Sequence, residues 1–211
     1  MYLNLLEIFL LSILPISLIK FKIIPPKFRL VVLSGVFILL AGLIYFQDIS
    51  SVQLGIKTNN FSSAIIPYLS VTIIAVFALV ILSKIMKNKV AGKWYEDQHF
   101  LFLFIPISFA QQFLFQGFIL FKLESIFQNL VAVIITALIF GYMHTIYPKP
   151  VFSMILGTLA GLLFATLYVI YPNLILASVI HAVLNFTAVY LGFFTFVDSE
   201  GVPEKTELNL T

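Results

Sequence analysis

The feature that most constrains this chain is a succession of long apolar runs broken by short polar stretches. A helix that crosses a bilayer needs about 20 mainly apolar residues. Runs of that order recur at 2–19, 30–46, 64–83, 100–121, 126–144, 151–169 and 174–196. Only 10% of the residues are charged and 61% are hydrophobic, whereas soluble domains carry about 25% charge. That balance excludes a soluble enzyme, a nucleic-acid binder and a disordered linker. The expected class is all-α, a polytopic transmembrane helix bundle of about seven spans.

The polar stretches support this division. Tyr2 to Ile19 has no basic segment before it and no small-residue cleavage site after it, so it is expected to be a retained span rather than a signal peptide. Pro15 should kink it. Lys20 to Arg29 holds Pro25-Pro26 and is expected to be a basic loop. Residues 47–63 form a polar connection. Lys84 to His99 carries four lysines with Trp94 and Tyr95, the residues of an interfacial belt. Lys122-Leu123-Glu124 is expected to form a turn, Pro148 and Pro150 to end the fifth span, and Tyr171-Pro172-Asn173 to end the sixth.

Lys and Arg divide ten to two between alternate sides, which predicts the N-terminus outside and the C-terminus inside. The expected organisation is three N-terminal helices with their loops (1–98), a four-helix core (99–196) and a polar tail (197–211). Along the sixth run, Ser153, Gly157, Gly161 and Ala165 recur at steps of four, a small face suited to close packing on a neighbouring helix.

Chemistry must come from the few polar groups at depth, because an unpartnered polar group in lipid loses several kcal/mol, on the order of 2–7. Between His99 and Val197 the formal charges are Lys122, Glu124 and Lys149, all expected in turns. What remains is Gln111, Gln112 and Gln116 in the fourth run, His144 at the end of the fifth, and His181 with Asn185 in the seventh. Gln112 and Gln116 are four apart and share a helix face, with Gln111 about 100° round. His181 and Asn185 share a face, as do Phe140 and His144. These faces should turn inward and meet each other or line a wet cavity. Straight spans set Gln111 and His181 roughly 18 Å from the inner face and His144 about 6 Å from it. A single site therefore needs the fifth span to tilt, extend or re-enter.

Several chemistries are excluded. The chain has no cysteine, hence no thiol nucleophile, thiolate metal site or disulfide. No Asp lies at depth for an aspartyl dyad, and there is no His-Glu-x-x-His. Ser178 precedes His181 by three, but no Gly-x-Ser-x-Gly surrounds it and no acid orients the histidine. Glu96 and Asp97 precede Gln111 by about 21–23 Å of helix and are expected to be interfacial charges. Two histidines and Asn185 without a carboxylate make a poor set for a catalytic zinc, so neither a metal nor another cofactor is expected.

The order of these motifs resembles the CPBP family, the CAAX prenyl proteases and bacteriocin-processing or immunity proteins, also called Abi proteins. Its members carry Glu-Glu-x-x-x-Arg, then Phe-x-x-x-His, then His-x-x-x-Asn on successive helices. Here the corresponding stretches are Gln111-Gln112-Phe113-Leu114-Phe115-Gln116-Gly117, Phe140-Gly141-Tyr142-Met143-His144 and His181-Ala182-Val183-Leu184-Asn185. The resemblance covers residues 99 to 190, and Leu54-Gly55-Ile56 looks like the short turn often seen before the family's core. It implies a CPBP-like core in spans four to seven, with His144, His181 and Asn185 at catalytic positions. Gln111, Gln112 and Gln116 take the places of the two glutamates and the arginine.

In the family the first glutamate, with the histidines, is thought to activate water, while Asn and His steady the oxyanion. Glutamine is isosteric with glutamate but accepts no proton, and a positioned general base is worth about 10²–10⁴ in rate. Loss of the arginine is coherent with this, since a buried cation without its carboxylate costs several kcal/mol, about 3–5. The neutral trio is expected to hydrogen-bond mutually. Two functions stay open. One is intramembrane endopeptidase activity that relies on His144 and His181. The other is a non-catalytic CPBP-fold protein that binds a peptide, lipid or partner protein in an immunity or scaffold role. The expected partners are the lipid bilayer and a peptide or membrane protein, with no nucleic acid. The expected location is a multi-pass position in a bacterial plasma membrane.

Overall fold

A computed structural model describes residues 1–90, 98–147 and 149–193. Trp94, Tyr95, Glu96, Asp97, Pro148 and the tail lie outside the described residues. In lipid every backbone N–H and C=O must be satisfied within the segment, which favours helices. The described chain is accordingly helical: α1 (Tyr2–Lys20), α2 (Arg29–Phe46), α3 (Phe61–Met86), α4 (98–124), α5 (Asn129–Ile146), α6 (Pro150–Ile170) and α7 (Leu174–Tyr190). Five of these contain stretches long and apolar enough to cross a membrane, and α2 and α7 carry shorter apolar stretches. The chain is an all-α, polytopic membrane protein.

Two helices contain π-helical stretches. Residues Phe9–Ile13 of α1 form a π-helical stretch that ends two residues before Pro15, whose missing N–H and ring disrupt the ordinary i to i−4 ladder at Leu11. In α4 the π-helical stretch is longer, Phe113–Leu120, and every residue in it is buried. It begins directly after Gln112 and contains Gln116.

The small face of α6 packs on α5, as its spacing predicts. A Cβ at Gly161 would lie 2.9 Å from Cα of Ala137, and one at Gly157 would lie 2.6 Å from Nδ1 of His144. Gly141 returns the contact from α5, where a Cβ would meet the carbonyl oxygen of Met154 at 2.8 Å. The two backbones therefore approach closely, and the His144 ring rests in the space that Gly157 leaves.

Residues 47–60 are more than a connection. Tyr168 donates its hydroxyl to the Leu54 carbonyl at 2.7 Å, and the Leu174 N–H donates to the Gly55 carbonyl at 2.9 Å. The Asn173 side chain donates to the Lys57 carbonyl and to Oδ1 of Asn60, and it accepts from the Leu176 N–H as the cap of α7. Asn173 and Leu174 are fully buried. The α6–α7 turn is thus covered by this loop, and α7 starts inside the protein instead of at its rim. Gly55 makes the close approach possible. Its φ is +71°, and a Cβ there would fall on the Tyr168 hydroxyl.

One sequence expectation fails here. Lys122 is not in a turn but in the last helical turn of α4, and it is 7% exposed. Its ammonium lies 3.0 Å from a carboxylate oxygen of Glu7 in α1. Gln47 donates to the other Glu7 oxygen at 2.7 Å and accepts from Lys122, while Asn4 and Ser125 extend the set. A buried cation is sustained by such a counter-ion and its hydrogen bonds. The pair joins α1, the end of α2 and α4 at the end of the bundle that holds residues 47–60.

Candidate functional site

Three inward stripes build the site: Ser108, Gln112 and Gln116 on α4, Thr136, Phe140 and His144 on α5, and His181 with Asn185 on α7. Phe140 is the hub. Its fully buried ring lies 4.9 Å from Phe115, 4.9 Å from His144, 5.5 Å from His181 and 6.1 Å from Phe164, between ring centroids. Phe164 of α6 lies 5.0 Å from His181. Aromatic pairs at 4.5–7 Å add roughly 0.5–1.5 kcal/mol beyond burial, so the rings hold the two imidazoles in a fixed apolar frame.

The polar contacts within that frame are specific. Gln112 donates its amide N–H to Nδ1 of His181 at 2.9 Å, and both side chains are buried. Because an amide nitrogen can only donate, His181 Nδ1 is the acceptor and the ring proton resides on Nε2. His144 has the opposite arrangement: its Nδ1–H donates to the Phe140 carbonyl at 2.8 Å. The two neutral imidazoles thus hold opposite tautomers around one phenyl ring. Asn185 donates to the Ser108 hydroxyl at 3.2 Å, which ties α7 to α4 one turn from His181.

The expected mutual bonding of the three glutamines is not what the structure contains. No two of the amides bond to each other, because the adjacent Gln111 and Gln112 face different helices and Gln116 lies a further turn along α4. Gln111 turns toward α5, with its Nε2 3.7 Å from the Met143 sulfur. Gln112 turns to α7. Gln116 is fully buried, and neither its nitrogen nor its oxygen finds a partner among the described residues. The carbonyl oxygens of Gln111 and Gln112 and the hydroxyl of Thr136 are likewise buried without a partner. The sequence did not single out Thr136. Its signal was available, as it lies one helical turn from Phe140 on the same face.

The separation in depth between His144 and His181 is also removed. The helix α5 runs without a break from Asn129 to Ile146. A short 3₁₀ turn, His144–Ile146, extends α5, and the loop over Asn173 starts α7 inside the bundle. Phe140 then touches both imidazoles. Ser178 donates its hydroxyl to the Leu174 carbonyl at 2.7 Å, so it is tied to its own helix. Among the described residues, no group of three or more His, Asp or Glu is placed to hold a metal ion.

Chemically, the arrangement has two oriented neutral imidazoles, an asparagine and several amide groups in an aromatic enclosure. It can donate and accept hydrogen bonds without carrying charge. Residues 98–187, which contain all of these groups, match the family model described as "Type II CAAX prenyl endopeptidase Rce1-like". No curated protein and no solved structure matches the chain.

Proposed function

We propose, from the premise that this chain is a CPBP-like, protease-like membrane protein, that it binds an apolar, peptide-like ligand in its neutral chamber without hydrolysing it. The observation that carries this is the Gln112–His181 contact. An amide hydrogen occupies the imidazole lone pair that a water-activating system would leave to its base. Gln111 is equally unable to accept a proton, and a missing general base lowers a rate by about 10²–10⁴. The aromatic frame of Phe115, Phe140 and Phe164 suits apolar flanks, while the amide groups suit unionised peptide N–H and C=O.

One observation favours residual hydrolysis instead. His144 is locked with its proton on Nδ1 by Phe140, a tautomer that leaves Nε2 as the basic nitrogen. The experiment that separates the two uses proteoliposomes and two fluorescent apolar peptides, one with and one without a C-terminal lipid-modified cysteine. Saturable binding that weakens in His181→Ala, with no product, supports the proposal. Product that disappears in His144→Ala and His181→Ala supports hydrolysis and overturns it.

A further inference from the structure

We infer that Gln116 and Thr136 hold a buried water layer that orients the Gln112 amide and so sets the tautomer of His181. The layer lies one turn from the histidines, toward the end of the bundle that holds residues 47–60. The helices α4 and α5 run antiparallel around the Phe115–Phe140 contact. Moving from Gln112 to Gln116 on α4, and from Phe140 to Thr136 on α5, is one turn in the same direction. Both steps lead to side chains with no exposure at all.

Four polar atoms are concerned: Oε1 of Gln112, Nε2 and Oε1 of Gln116, and Oγ1 of Thr136. None finds a partner among the described residues. A buried amide or hydroxyl left unbonded costs more than almost any other local defect. Buried water makes about three hydrogen bonds, to groups that would otherwise be unsatisfied. Two donor groups and several acceptor lone pairs, buried one turn from the histidines on neighbouring helices, match that requirement. An ion does not fit as well, since the set has no formal charge and one of its members is an amide nitrogen. The π-helical stretch that starts after Gln112 widens the helix where the layer sits, and such stretches accompany functional sites.

The consequence concerns His181. A glutamine amide can offer either end to an imidazole. With nitrogen toward His181, Nδ1 accepts; with oxygen toward it, Nδ1 must carry the proton. Asn185 also hydrogen-bonds to His181, but nothing among the described residues bonds to the far end of Gln112, so water on its carbonyl oxygen favours the orientation with nitrogen toward the ring. Gln116 and Thr136 are positioning residues in this sense. The inference holds whether the chamber only binds or also hydrolyses.

The test is nitrogen-15 NMR of histidine-labelled protein in lipid nanodiscs, which is tractable because the chain has three histidines. In the wild type, His181 should be in the Nε2–H form and His144 in the Nδ1–H form. Thr136→Val, which keeps shape and removes the hydroxyl, should raise the Nδ1–H fraction of His181 by about five- to tenfold, the scale of one lost hydrogen bond. His144 should not change. Gln116→Met should act in the same direction, and Thr136→Ser should preserve the wild-type spectrum. A His181 signal that ignores Thr136→Val overturns the inference, as does one that moves equally with Thr136→Ser. If Gln116→Met does not fold, Thr136→Val and Thr136→Ser decide alone. Thermal unfolding adds an independent sign: loss of a hydrated network lowers the midpoint, whereas replacing groups that were never solvated raises it and contradicts the water layer.

Discussion

The amide nitrogen of Gln112 lies 2.9 Å from Nδ1 of His181, across the interface between α4 and α7. This contact links the fourth helix directly to a histidine of the seventh. Removing it by Gln112→Leu leaves a buried imidazole nitrogen without its donor. Stability should fall by about 1–3 kcal/mol, read as a lower midpoint in detergent unfolding. Gln112→Glu should act differently, because a carboxylate can only accept. It requires the proton to move to Nδ1 of His181, and the same NMR measurement should show that tautomer.

The packing of His144 against Gly157 gives a second prediction. A Cβ at Gly157 would lie 2.6 Å from Nδ1 and 2.7 Å from Cγ of the ring. Gly157→Ala must therefore displace His144 or separate α5 from α6, with a loss of about 1–3 kcal/mol. Gly42 has no atom near its Cβ direction, so Gly42→Ala should leave the unfolding midpoint nearly unchanged. Equal effects of the two substitutions would show that the glycine contact is not specific.

The buried Glu7–Lys122 pair predicts strong non-additivity. Lys122→Met alone strands a buried carboxylate, and Glu7→Gln alone strands a buried ammonium. Each should cost about 3–5 kcal/mol. The double variant Glu7→Leu/Lys122→Met removes both charges and should recover most of that loss. Additive losses in the double variant, measured by unfolding in detergent, would sink the assignment of an ion pair.

Much of the architecture was legible from sequence because lipid imposes a simple rule on length and polarity. The helices α2, α6 and α7 start within one residue of the apolar runs that foreshadow them. The i, i+4 spacing of Gln112/Gln116 and of His181/Asn185 put each pair on one inward face, and of these Gln112 meets His181. Less legible were relationships set by distant segments. Lys122 looks like a turn residue until Glu7, 115 positions earlier, supplies its counter-charge. A lone acid inside the first apolar run was the signal. The common level of His144 and His181 depends on the loop that buries Asn173, which helical periodicity cannot express. Nor does a four-residue repeat reveal that Gln116 finds no partner among the described residues, since that depends on what the neighbouring helices leave around it.

The Gly55 turn tests how firmly that loop sets the site. Gly55→Ala meets both a positive φ and the Tyr168 hydroxyl. It should destabilise the protein by more than Tyr168→Phe, which removes one hydrogen bond worth about 0.5–1.5 kcal/mol. Hydrogen exchange at the Leu174 amide, which bonds to the Gly55 carbonyl, should accelerate in Gly55→Ala before amides of α5 do. Unchanged exchange at Leu174 would dissociate the loop from the start of α7.

The most direct measurement compares peptide cleavage in proteoliposomes by three proteins: wild type, His144→Ala/His181→Ala, and Gln111→Glu/Gln112→Glu/Gln116→Arg. A neutral, non-hydrolytic chamber predicts wild-type product no higher than that of the double-histidine variant, with product arising in the triple variant if it folds. Wild-type cleavage that is lost in the double-histidine variant would contradict it.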